Sequence, residues 1–223
     1  MKQKTSAGAS GLEWTSHDLS TFTKTDANSM EDGTTSLGVS SSVVVNPITG
    51  ESDSGLDSLT YNKVIQAAIP WGDYRSLEIE VTVTPPATGG GANAYMLVGI
   101  CKATGGLVTQ EGYLAGLRVL AAGGHRLIAK RIGANPDPGP APNLAGEVAV
   151  MISLPFEASQ PAEIVATADD GSNIHHQSDT LTVAGGPWTD LTLCLSFEKD
   201  AAGSGDITWT VASVKTALIT RAG

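Results

Sequence analysis

Leu77-Glu78-Ile79-Glu80-Val81-Thr82-Val83-Thr84 alternates apolar and polar residues along its whole length. Successive side chains of a β-strand point to opposite faces, so the four aliphatics share one face and the Glu and Thr side chains the other. The same alternation returns in Leu191-Thr192-Leu193-Cys194-Leu195-Ser196-Phe197-Glu198 and in Ile207-Thr208-Trp209-Thr210-Val211-Ala212-Ser213-Val214. The glycine-rich Ala201-Ala202-Gly203-Ser204-Gly205 between those two predicts a hairpin. The rows Leu77, Ile79, Val81, Val83 and Leu191, Leu193, Leu195, Phe197 are expected to face one core, with Trp209 inside it.

Two further segments, 95–101 and 148–152, are apolar on both faces and fit central strands covered on both sides. Shorter strands are expected at 42–45, 63–69, 117–120, 126–132, 163–168 and 180–183, and one helical turn at 110–115. Turn chemistry separates them: Asn46-Pro47, Pro85-Pro86, Gly105-Gly106, Gly123-Gly124, Asp170-Gly171 and Gly185-Gly186-Pro187. About ten short strands broken in this way predict an all-β fold, an antiparallel two-sheet sandwich of the jelly-roll kind. Residues 1–12 are polar and without periodicity, which predicts a flexible N-terminal arm ahead of one domain at 13–223.

Composition narrows the partners. A chain of 223 residues buries roughly 70% of its unfolded surface, and a sandwich of that size is one domain. Charged residues are only 16%, so Ser, Thr, Asn and Gly must cover much of the surface, which suits faces that pack against copies or other subunits. The net charge of −10 repels phosphate backbones and anionic lipid heads, so neither nucleic acid nor membrane insertion is expected. The basic start Met1-Lys2-Gln3-Lys4 is followed by no apolar core of the kind a secretory signal needs, and no apolar run approaches the roughly 18 residues of a membrane span. Synthesis in a cytoplasm is the expectation. Cys101 and Cys194 both fall in expected strands and read as small buried apolar residues, with a single bridge between neighbouring strands left open.

Candidate chemistry is sparse. Asp169, Asp170, His175, His176 and Asp179 cluster, but without calcium-loop spacing, and a hairpin turning at Asp170-Gly171 accounts for them. No metal or other cofactor is expected. His125-Arg126 and Lys130-Arg131 concentrate basic side chains that read either as a contact for an acidic partner or as a charged strand edge. Trp71-Gly72-Asp73-Tyr74-Arg75 sets Trp71 and Tyr74 beside a turn, either to stack on a sugar ring or to cap the core. Pro136, Pro138 and Pro140 stud the stretch 133–143, which cannot pair as a central strand and should lie extended as an exposed loop, a crossover or a partner contact. No nucleophile elbow, zinc-protease helix, phosphate loop or dinucleotide fingerprint occurs. Glu78 and Glu80 share a strand face as glycosidase carboxylates do, but with 5% aromatics an outward solvated face explains them better. No enzyme is expected.

Pro187-Trp188-Thr189-Asp190 followed by an alternating strand, a glycine turn and a second alternating strand resembles the end of laminin G-like and concanavalin-like jelly rolls. The opening Leu12-Glu13-Trp14-Thr15-Ser16-His17-Asp18-Leu19-Ser20-Thr21-Phe22 is similar to the first strand of such modules. Lectins of that class hold calcium in an Asp/Asn cluster that has no match here, so sugar binding is not implied by the resemblance. The small residues and the Gly- and Pro-studded loops also resemble bacteriophage capsid decorations, head fibres and tail adhesins. That likeness implies a non-enzymatic virion structural protein, a homo-oligomer among other virion proteins. The alternative is a carbohydrate-binding module or lectin-like adhesin directed at a cell-surface glycan. A polysaccharide-cleaving enzyme on the same sandwich is the third reading.

Overall fold

The computed structural model describes residues 12–27, 30–31, 41–47, 57–87, 93–101, 112–131, 144, 146–157, 160–161, 163–172, 174–180, 190–199 and 207–221. The strands are β1 (Thr15–Ser16), β2 (Thr23–Ala27), β3 (Met30–Glu31), β4 (Ser41–Pro47), β5 (Asp57–Ala67), β6 (Tyr74–Thr84), β7 (Ala94–Cys101) and β8 (Gly112–Val119). They continue with β9 (His125–Arg131), β10 (Val148–Glu157), β11 (Gln160–Pro161), β12 (Glu163–Asp169), β13 (Ile174–Thr180), β14 (Asp190–Lys199) and β15 (Ile207–Thr220). One 3-10 turn, Leu19–Thr21, is the only helical element among the described residues.

Two antiparallel sheets face each other. The larger runs β13-β12-β10-β6-β15-β4-β3, with β1 beside β15 and β11 beside β10; the smaller runs β2-β5-β14-β7-β8-β9. The alternating segments supply the facing surfaces. Leu77, Ile79, Val81 and Val83 of β6 register with Leu154, Ile152, Val150 and Val148 of β10, and all are fully buried. Across the core, Leu193, Leu195 and Phe197 of β14 register with Ile100, Val98 and Met96 of β7. All of these side chains belong to one apolar cluster. The all-β sandwich and the two expected rows are therefore present.

The expected hairpin between the last two alternating segments is not. β14 pairs with β5 and β7 in the smaller sheet, whereas β15 pairs with β4, β6 and β1 in the larger. Alternation tells a strand which face to bury but not which sheet to join, and both sheets bury one face here. A register shift between Val211 and Ser213 opens β15 by one residue. It allows Trp209 and Val211 before it, and Val214 and Thr216 after it, all to face inward, although their sequence parity differs.

Three more expectations change. The helical turn at 110–115 falls partly in β8, where Gly112 to Ala115 pair with β7. The first strand is cut to Thr15–Ser16 before the 3-10 turn. β10 is buried on one face only, since Met151 is 41% exposed; β7, by contrast, buries every residue from Ala94 to Ile100. Residues 1–11 of the expected arm and the proline loop at 133–143 lie outside the described residues.

The N-terminal segment straps the two sheets. β1 adds to β15 through Thr15 and Ser16, and β2 adds to β5. Between them Asp18 caps the 3-10 turn by accepting from the Ser20 amide at 2.9 Å. Phe22 is buried, and its ring meets His17 edge-on at 6.2 Å. Lys63, on the inward face of β5, lays its ammonium 5.6 Å over Phe22 and donates to Thr21 Oγ1 at 2.8 Å.

Candidate functional site: two ends of the sandwich

The expected site residues do not converge. Trp71 and Tyr74 lie where the chain leaves β5 and enters β6, at one end of the strands. Arg126, next to the first residue of β9, lies beside the last residues of β8, at the opposite end. Lys130 and Arg131 close β9 opposite Leu114 and Tyr113, back toward the Trp71 end, so the strand sets them apart from Arg126. Pro136, Pro138 and Pro140 are outside the described residues.

At the first end, the Pro70–Tyr74 turn is built into the domain. Trp71 N donates to Ile69 O, and Asp73 N donates to Pro70 O at 2.8 Å. Trp71 packs on the core, with its ring meeting Phe156 nearly perpendicular at 4.9 Å. Arg221, just past β15, donates to Tyr74 O at 3.0 Å and Phe156 O at 3.3 Å, tying the ends of three strands together. The corner reads as a cap on the apolar cluster, with Asp73 and Arg75 exposed around it.

At the other end, the smaller sheet carries a polar row on its outer face. Cross-strand register aligns Glu198 with Tyr95, Tyr95 with Arg118, and Arg118 with Arg126. The Arg118 guanidinium sits 5.6 Å over the Tyr95 ring, and its Nε is buried without a hydrogen-bond partner. Glu198 is buried and accepts from Ser196 Oγ at 3.2 Å. The next row inward has Gly116 between Leu97 and Ile128. A Cβ on Gly116 would sit 2.0 Å from the Met96 carbonyl oxygen, so only glycine fits there. Arg126 is among the residues expected from the sequence to make contacts, but Arg118, Tyr95 and Glu198 are not. The signal was present: in Gly112-Tyr113-Leu114-Ala115-Gly116-Leu117-Arg118-Val119 the alternation places Arg118 outward. What was missing is the pairing that brings it opposite Arg126.

Two imidazoles are removed from water, His125 fully and His17 in part. His125 faces inward at the start of β9, 8% exposed, and neither ring nitrogen makes a full hydrogen bond. Burial holds its pKa below the ordinary 6.5, and the Pro86 backbone offsets this only in part. His17 Nε2 lies 2.7 Å from Thr216 Oγ1; burial, and then the Lys63 charge, lower its pKa too.

The Asp169–Asp179 segment forms the β12–β13 hairpin, with Gly171 at φ 82°. Asp169 and Asp170 accept from the Gly171 and Ser172 amides at 2.8 and 2.9 Å, which is turn chemistry. His175 pairs with Ala168 and His176 with Thr167, on opposite faces. No group of three metal-ligating side chains occurs among the described residues. Cys194 is buried and not in a disulfide; its neighbour across the ladder is Gly99, and Cys101 aligns instead with Thr192. Glu78 accepts from Ser76 and Ser153 at 2.8 and 2.9 Å, and Glu80 pairs with Lys215 at 2.7 Å. Both carboxylates lie on the outer face of the larger sheet, facing away from the core.

Neither a family model nor a curated protein sequence matches the chain. Solved structures do, and they share the fold. Lectin I from Ulex europaeus, in complex with the methyl glycoside of α-L-fucose, is 10% identical over 89% of this chain and 92% of its own, with TM-score 0.53. The carbohydrate recognition domain of Emp47p is 11% identical over 96% of this chain and 100% of its own, with TM-score 0.52. The CBM2 module of the evolved Dit of Lactobacillus casei BL23 phage J-1 is 9% identical over 80% and 83%, with TM-score 0.50. The sandwich is a jelly roll, the fold that these structures share with it.

Proposed function

We propose that the chain is a non-catalytic, carbohydrate-binding adhesion module carried on a bacteriophage particle. The observation that carries this reading is that a sandwich covering most of the chain is shared with the carbohydrate recognition domain of Emp47p and with a CBM2 module of a phage Dit. The composition supports it. A neutral-rich surface bearing few charges suits polyhydroxylated ligands, which are bound by hydrogen bonds rather than by counterion release. The test is a glycan array probed with the intact protein, together with antibody labelling of purified particles. Retention of a defined glycan set and label on virions is the expected result. An array blank at every glycan overturns the sugar reading, and unlabelled particles overturn the virion one.

A second reading, a decoration or fibre subunit joined to copies of itself, draws on the larger sheet's outer face. That face presents Ala149, Ser153, Thr167 and Ser213 with Met151, around Glu78 and the Glu80–Lys215 pair. Solution mass separates the readings: a subunit of this kind sediments as a closed oligomer, an isolated binding module as a monomer.

A further inference from the structure

We infer that the outer edge of β13 is an interface between two copies of this chain, which pair there across a two-fold axis and join their larger sheets into one. The inference rests on the self-associating reading above and places that contact at the edge of the larger sheet instead of its outer face.

The two sheets end on four strands: β13 and β3 in the larger, β2 and β9 in the smaller. Alternate backbone N–H and C=O groups of an edge strand point away from its one neighbour and can pair with any strand that reaches them, so edges are ordinarily kept short or charged. Three of these four follow that rule. β3 has two residues, Met30 and Glu31. β2 carries Lys24 and Asp26, and β9 carries Arg126, Lys130 and Arg131. β13 does not. Its seven residues, Ile174-His175-His176-Gln177-Ser178-Asp179-Thr180, contain no lysine, arginine, proline or glycine, and Asp179 stands one place from the end.

The edge is also open. β13 pairs with β12 along its whole length and, among the described residues, with no other strand. Ile174 is 68% exposed, and His176 is exposed as well. A β-branched apolar side chain in water, at the end of an unguarded edge, gains from a neighbouring strand that covers it.

The sequence of β13 suits a second β13. Antiparallel pairing about Gln177 uses all seven residues and sets Ile174 opposite Thr180, His175 opposite Asp179 and His176 opposite Ser178. No residue then meets a like charge, and each Asp179 position faces a histidine. Moving the axis by one position leaves an end residue without a partner.

The experiment measures the mass of the intact protein in solution across a range of concentrations, for the parent and for Ile174→Lys/His176→Lys. Both positions are exposed, so the substitutions keep the fold while planting the kind of charge that guards other edges. We expect a dimer whose dissociation constant rises about tenfold or more in the double variant. Gln177→Cys, the position that meets itself, is expected to cross-link the copies through a short bis-thiol linker where the parent does not. Thr180→Cys is not expected to, since its two copies lie about 20 Å apart in this register. Cross-linking reads the register even should the lysine variant fail to fold. A monomer at every concentration overturns the edge and the self-associating reading together. A trimer, which a two-fold contact cannot build, or a dimer indifferent to the lysines and not cross-linked at 177, overturns the edge alone.

Discussion

Phe197 and Trp209 meet across the core with ring centroids 6.2 Å apart and planes tilted by 52°, one from each sheet. Phe197 also touches Tyr61 edge-on at 6.3 Å. Both rings are completely buried, so the contact is a bolt between the layers. Phe197→Ala is expected to cost about 3–5 kcal/mol, as large core truncations do. The loss in the Phe197→Ala/Trp209→Ala double variant should differ from the sum of the single losses by about 0.5–3 kcal/mol. Denaturant unfolding of the four proteins measures both quantities. Strict additivity would place the two rings in separate parts of the core.

That same contact shows what the sequence could and could not say. Period-two alternation identified the strands and their buried faces, because a half-exposed sheet imposes it residue by residue. It could not assign β14 and β15 to different sheets, since a strand in either sheet has the same pattern and the glycine-rich stretch between them permits a hairpin or a crossover. The Arg118–Arg126 row was hidden for a related reason. Its members alternate correctly within their own strands, but their alignment is a property of pairing across β14, β7, β8 and β9. The His17 contact to Thr216 joins residues 199 apart in sequence, and no local pattern signals it.

Glycine at 116 is expected to be indispensable and glycine at 72 not. Gly116→Ala forces a methyl group against the Met96 backbone carbonyl, and backbone in the middle of a paired sheet cannot swing aside. A loss of at least about 1–3 kcal/mol is expected, in the range of overpacked cores. An added Cβ at Gly72 meets nothing within 4 Å, so Gly72→Ala should stay within about 0.5 kcal/mol. Melting curves of the two variants check the contrast, and similar losses would contradict it.

Trp71 is expected to serve stability and not recognition. Its contact with Phe156 and its packing on the apolar cluster mean that Trp71→Ala opens a gap at the end of the sandwich. Because the residue is only half-buried, the loss should fall at or below about 3 kcal/mol, the lower end for aromatic truncation. Glycan binding of the folded variant is expected to match the parent, since the ring is spent on Phe156 and the apolar cluster. A folded Trp71→Ala protein that no longer binds glycan would move the recognition surface to the Trp71 corner.

Acid should loosen the fold from two directions, through His17 and His125. Both have folded-state pKa values held below the ordinary 6.5, with burial the largest cause. In the unfolded chain each imidazole takes up a proton near that ordinary value, while in the folded chain it resists protonation. Above about pH 6.5 both states leave the rings neutral, so the native state bears no penalty. As the pH falls below that value the unfolded state binds more protons than the native one, and stability drops until the folded-state pKa values are passed. The two sites differ in what protonation disturbs. A charged His17 faces the Lys63 ammonium and loses hydration to burial, loosening the strap from β1 to β2. A charged His125 sits on the inward face of β9 with only the Pro86 backbone to receive it. Unfolding free energies measured from pH 8 to pH 5 should therefore decline below about pH 6.5, and His125→Phe should flatten part of that decline. A parent protein equally stable across this range would show that neither ring is buried in its neutral form.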